Sequence, residues 1–83
     1  MIKVLFFARI RDQVGCNELD LELPETVSDV GAFTDQLKQR GKEFSAALSD
    51  PNVLVAVNQE MASSQTTVED GDEIAYFPPV TGG

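Results

Sequence analysis

The chain contains no histidine and a single cysteine, Cys16. One thiol permits neither an internal disulfide nor a multi-cysteine metal site. Cys16 could be a nucleophile, but no histidine stands by to lower its pKa, so it reads as an incidental thiol suited to a reducing cytoplasm. No glycine-rich phosphate loop follows a strand, no metal-ligand spacing occurs, and no internal repeat or linker interrupts the sequence. Long hydrophobic runs are also missing. The apolar opening Met1-Ile2-Lys3-Val4-Leu5-Phe6-Phe7 reaches Arg9 and Arg11 too soon for a signal peptide or a membrane span. No constellation for a self-contained enzyme remains.

Positive charge is scarce. Six basic residues face 14 acidic ones, for a formal net charge of -8. A phosphate backbone or an anionic membrane would be repelled, so nucleic acid and membrane are poor partners. A protein with a basic docking surface is a better one, because opposite fields steer encounter. The acidic cluster Glu69, Asp70, Asp72 and Glu73 lacks the regular spacing of a calcium loop and reads as a solvated turn, with no metal assigned.

What is present suffices for one domain of 83 residues with 42% hydrophobic and 24% charged side chains, a composition that folds as a soluble globule without staples. Residues 2 to 8 are β-branched and aromatic, the pattern of a central strand. Ile2, Val4 and Phe6 point to one face, and Lys3, Leu5 and Phe7 to the other. Arg9 to Val14 has helical character, ended by Gly15. From Glu18 to Leu23, leucines alternate with acids, as in a strand near a sheet edge. Thr26 followed by Asp29 resembles a capping box, which predicts a helix from near Val27. Val27, Val30, Phe33 and Leu37 form its apolar stripe, Gly41 is its stop, and Gly31 costs it about 1 kcal/mol relative to alanine. Glu43 to Leu48 adds a helical turn or two, and Asp50-Pro51-Asn52 breaks the chain. Val53 to Val57 is a strand, Asn58-Gln59 a tight reversal into Glu60-Met61-Ala62, and Glu73 to Phe77 the last strand after the Asp70-Gly71-Asp72 turn. The expected fold is α+β: a mixed sheet of about five strands on one main helix with a short second helix. The first two strands pair like a hairpin, and the last lies parallel beside the first.

The exceptional segment is Pro78-Pro79-Val80-Thr81-Gly82-Gly83, which follows the last strand directly and has no charged side chain. It divides the chain into a body, residues 1–77, and a tail, residues 78–83. Six residues reach up to about 20 Å, and Pro78-Pro79 stiffens the base of that reach. Gly82 and Gly83 lack Cβ atoms, so their backbone can thread a narrow channel and the Gly83 carboxyl carbon is open to attack. A carboxylate is inert until an oxygen becomes a leaving group. Adenylation by ATP in a partner enzyme would do this, since the chain has no ATP site of its own. The acyl carbon could then accept sulfur, giving a thiocarboxylate, or an amine, giving an isopeptide bond.

The run Asp70-Gly71-Asp72-Glu73-Ile74-Ala75-Tyr76-Phe77-Pro78-Pro79-Val80-Thr81-Gly82-Gly83 resembles the ending of the sulfur-carrier (small) subunits of molybdopterin synthase, which are ubiquitin-like β-grasp proteins. Val4-Leu5-Phe6-Phe7-Ala8 with Arg11-Asp12 and Gly15 is similar to their opening, and Ala56-Val57-Asn58-Gln59 to their central motif. Asp12 stands where glutamate is frequent in that family, and Met61 where leucine is common. The resemblance implies a cytoplasmic carrier that binds no cofactor itself. An E1-like enzyme would adenylate Gly83, and a persulfide donor would convert it to the thiocarboxylate. The tail would then enter the large subunit, within a heterotetramer, and give its sulfur to cyclic pyranopterin monophosphate in molybdenum cofactor biosynthesis. The family docks through positions matching Phe7, Met61 and Phe77, with Arg11 near that interface. Strand alternation independently places Phe77 with Leu5 and Phe7 on the face away from the helix, an exposed apolar patch of the kind that marks binding sites. A protein modifier conjugated through Gly83 and a carrier of the thiazole pathway are the alternatives. The typical thiazole-pathway tail lacks this Phe-Pro-Pro-Val-Thr run.

Overall fold

The computed structural model describes residues 1–79. The expectations for Val80, Thr81, Gly82 and Gly83 lie outside the described residues. The elements run β1 (Ile2–Phe6), α1 (Ala8–Val14), β2 (Glu18–Leu21), α2 (Val30–Lys38), α3 (Lys42–Leu48), β3 (Leu54–Val57), β4 (Glu60–Met61) and β5 (Glu73–Phe77). The strands form one mixed sheet in the order β2-β1-β5-β3-β4. β1 is parallel to β5, and every other neighbouring pair is antiparallel. This is the β-grasp arrangement expected from the sequence, with the acidic, alternating β2 at an edge.

Alternation decides which side of the sheet is dry. The register sets Val4 beside Ile74 and Phe6 beside Tyr76. These side chains and Ile2 are buried with Val30, Phe33 and Leu37 of α2 and Ala47 and Leu48 of α3. Phe6 lies edge-on to Phe44 at 5.9 Å and stacks on Tyr76 at 6.0 Å between ring centroids. Each large side chain so covered contributes about 1.5–3 kcal/mol. That outweighs the local costs of the short elements.

Three local expectations are corrected. The main helix starts at Val30 rather than near Val27, and its cap is Asp29, whose Oδ1 accepts from the Ala32 N–H at 2.8 Å, rather than Thr26. The backbone ahead of it is paired across the fold instead. Val68 N–H donates to the Ser28 carbonyl at 3.0 Å and Val30 N–H to the Thr66 carbonyl at 2.9 Å. Val27 is therefore buried outside the helix. The same helix ends at Lys38, before Gly41, which instead caps α3. The helical character expected of Arg9 to Val14 is present as α1, the first of three helices among the described residues. Phe7 caps α1, Ala8 turns left-handed at φ 53°, and Gly15 closes the helix at φ 84° with its N–H on the Arg11 carbonyl at 2.9 Å. Ile10 and Val14, four apart, supply its buried edge.

The Asn58-Gln59 reversal is as expected, with both residues left-handed at φ 51° and 69°, as a two-residue hairpin turn requires. Gly31 has a reason the sequence conceals. Its N–H donates to the Ser64 carbonyl at 2.8 Å, and a Cβ there would sit 3.1 Å from that oxygen and 3.2 Å from Ser64 Cβ. Gly31→Ala should therefore forgo the helix-propensity gain and lose about 1 kcal/mol, because crowding against a bonded backbone outweighs it. Thermal denaturation checks this, and a higher melting temperature would contradict the close approach.

Tyr76 is the only tyrosine, and there is no tryptophan. Burial pushes its phenol up to about 12, only partly opposed by the hydrogen bond that its hydroxyl shares with Thr34 Oγ1 at 2.6 Å. The folded state thus holds a proton that an unfolded chain releases near pH 10, so this contribution to stability is complete below about pH 10 and is lost as pH rises toward 12. Phenolate absorbance should rise only near pH 12 or with unfolding. A midpoint near 10 with native near-ultraviolet circular dichroism would contradict the buried hydroxyl.

Candidate functional site

β5 is the middle strand of the sheet, so the segment that follows Phe77 leaves from the centre of one sheet end. Pro78 is half-buried there, and Pro79 is exposed. Because β1 runs parallel to β5, both strands finish at that same end. The Phe7 N–H donates to the Tyr76 carbonyl at 3.1 Å, which extends the ladder one step and sets Phe7 beside Phe77. α1 begins at the next residue. One turn on, the Arg11 N–H reaches the Phe7 carbonyl at 3.4 Å. Arg11 thus lies on a helix at the margin of this end rather than on the sheet. Its Nε sits 3.7 Å from Asp12 Oδ1 in an exposed pair that contributes little to stability.

The sheet face turned away from the helices carries the apolar side chains that the core does not use. Cross-strand pairing sets Leu5 beside Ala75, Ala75 beside Ala56, Ala56 beside Met61, and Leu54 beside Phe77. Phe7 is 46% exposed and Met61 64% exposed, an outlay of apolar surface that folding alone does not explain. Phe7, Phe77 and Met61 therefore share one face. Met61 sits level with Ala56, two residues along β3 from the Leu54–Phe77 pair, or about 7 Å farther from the tail root. Half-buried Leu54 borders the patch, and Ala56, on the same face, is buried beneath it. The apolar run Val53 to Val57 hid them, because it gives no sign of which alternate side chains face the helices; only the register across β5 decides it.

The acidic turn has a structural task. Asp72 accepts from the Glu69 N–H at 2.8 Å and from Asn58 Nδ2 at 3.0 Å, while Asn58 Oδ1 accepts from the Glu73 N–H at 3.0 Å. Asp70 pairs with the amino group of Met1, and that hydrogen bond, reinforced by the charge, holds its carboxyl below the usual range. Among the described residues no group of three or more acidic or cysteine side chains is placed to hold a metal ion. Cys16 is half-buried and packs against the core. No helix among the described residues is long and apolar enough to cross a membrane.

Comparison with known proteins fits this geometry. The model of the ThiS family matches residues 4–83. The molybdopterin synthase sulfur carrier subunits of Haemophilus influenzae and Escherichia coli are 41% and 42% identical over 83 residues, covering 100% of this chain and of each relative. Among solved structures, a Pyrococcus furiosus protein provisionally described as molybdopterin converting factor, subunit 1, superimposes with a TM-score of 0.80 at 34% identity, covering 95% of this chain and 97% of that one. SAMP1 of Haloferax volcanii gives a TM-score of 0.76 at 25% identity, covering 99% of this chain and 98% of that one. The chain belongs to the ThiS family of ubiquitin-like β-grasp proteins, with molybdopterin synthase sulfur carrier subunits as its full-length relatives.

Proposed function

We propose that this chain is the sulfur carrier subunit of a molybdopterin synthase and acts in molybdenum cofactor biosynthesis. The observation that carries the reading is end-to-end similarity to subunits of that name, reaching through Gly82 and Gly83. Residues 1–77 are the rigid body and residues 78–83 the working tail. The Gly83 carboxylate is the reacting group. An E1-like partner in the cytoplasm uses ATP to form the acyl-adenylate. The terminal sulfur of a persulfide donor displaces AMP to give an acyl disulfide, and a second thiol cleaves its S–S bond, freeing the thiocarboxylate and leaving a disulfide on the donor. The chain itself holds no cofactor, so the activation chemistry belongs to the partner.

The body's role is presentation. Phe7, Phe77 and Met61 dock on the large catalytic subunit, with Arg11 at the margin, while Pro78 and Pro79 aim Val80, Thr81, Gly82 and Gly83 into its active site. There the thiocarboxylate gives its sulfur to cyclic pyranopterin monophosphate. The root of the tail lies beside Phe7 and Phe77, so one docking event both buries apolar surface and sets the direction of the tail. Burial of such a patch supplies binding energy without covering the reactive end.

The similarity to SAMP1 keeps amide conjugation through Gly83 as the outcome to be tested against. Intact-mass analysis after incubation with the activating enzyme, ATP and a sulfur donor should show a species heavier by the difference between one sulfur and one oxygen. Amide-linked adducts alone would show a modifier instead. Deletion of Gly83 should leave the fold and large-subunit binding close to those of the full chain while abolishing sulfur transfer.

A further inference from the structure

We propose that the cleft on the open sheet face lined by Leu5, Phe7, Gln59, Glu73 and Ala75 receives one lysine or arginine side chain of the docking subunit, with Glu73 as its counter-charge. The inference rests on the docking reading above and specifies what one part of that face selects. The cleft runs along β1 and β5. Leu5 and Ala75 face each other across its middle, Phe7 stands at the tail end, and Glu73 lies at the far end beside Gln59 of the hairpin turn.

Its walls and its charge call for one kind of occupant. A lysine or arginine has an aliphatic stem that packs on Leu5, Phe7 and Ala75 and a cationic head that reaches Glu73 and the Gln59 amide. A wholly apolar side chain would dehydrate the Glu73 carboxylate without giving it a partner, which disfavours such an occupant. An acidic one would be repelled. The chain's own candidate is otherwise engaged. Lys3 lies beside Glu73 in the parallel register, yet its Nζ is 3.8 Å from Glu18 on the other side, and Glu73 has no ion pair within 4.0 Å among the described residues. Glu73 is also fixed in place. Its N–H is held by Asn58 Oδ1 at 3.0 Å, and its carbonyl by the Asn58 N–H at 2.7 Å. With a net charge of -8, a partner bearing basic groups is favoured in any case.

Position gives the contact its use. Glu73 is the first residue of β5 and Phe77 the last, so about 13 Å separates the ionic anchor from the root of the tail. An apolar anchor at one end and a charge at the other fix the rotation of the body on its partner, which an apolar patch alone would not.

The test is the affinity of the full-length chain for the large subunit, measured by calorimetry at low and moderate salt. Glu73→Gln and Glu73→Lys are compared with Glu25→Gln, an exposed acid in the loop before α2. Glu73→Gln should weaken binding about tenfold at low salt and flatten its salt dependence. Glu73→Lys should weaken it further, and Glu25→Gln should change little. Equal affinities for wild type and Glu73→Gln, or a loss with an unchanged salt dependence, would overturn the assignment while leaving the docking face standing. Failure of the unaltered chain to bind the large subunit would instead overturn the docking reading beneath it.

Discussion

The parallel pairing of β1 with β5 is the constraint on which the rest depends. It joins the two ends of the described chain in the centre of the sheet, so that alternate residues of both strands, Ile2, Val4, Phe6, Ile74 and Tyr76, form the floor on which the helices pack. The same register turns Leu5, Phe7, Ala75 and Phe77 outward. A parallel pair ends at one place, and here that place holds Phe7, the start of α1 and the root of the tail. Core and candidate site are thus two faces of one ladder. A slip of one residue would exchange them.

Much of this was legible in the sequence, because a period of two is an unambiguous signal where one face is dry. The alternation in residues 2 to 7 and 74 to 77 assigned the outward side chains correctly, and Asn58-Gln59 marked the hairpin. Asp70-Gly71-Asp72 marked its turn too, since Gly71 adopts φ 96°. What escaped was governed by contacts between distant segments. Thr26 and Asp29 both suit a helix cap, and only pairing of residues 28 to 30 with residues 66 to 68 selects Asp29. Gly31 looked like a weakness in α2 because its neighbour, Ser64, lies far along the chain. Ala8 carries no mark of the left-handed turn that starts α1. Leu54 and Ala56 were hidden because their strand is apolar on both faces. The tail stands out in the sequence in a different way, through its lack of charged side chains and the two glycines at its end, and residues 80–83 lie outside the described residues.

The division of labour follows from what the chain lacks. The proposed function places the chemistry on the Gly83 carboxylate, activated by a partner, and the sequence offers no histidine to that chemistry. The acidic side chains serve other ends. Asp72 and Asp70 hold the turn that feeds β5, and the remaining charge biases encounter toward a basic partner. Burial of the core fixes the direction in which β5 points, and β5 is the strand that carries the tail.

The most direct test is a single turnover with the purified large subunit, the pterin precursor and this chain bearing a labelled sulfur at Gly83. The account predicts that the label passes into the pterin product as the carrier returns to a plain carboxylate. Label that stays on the carrier, or product formed as readily from a chain with no thiocarboxylate, would contradict it.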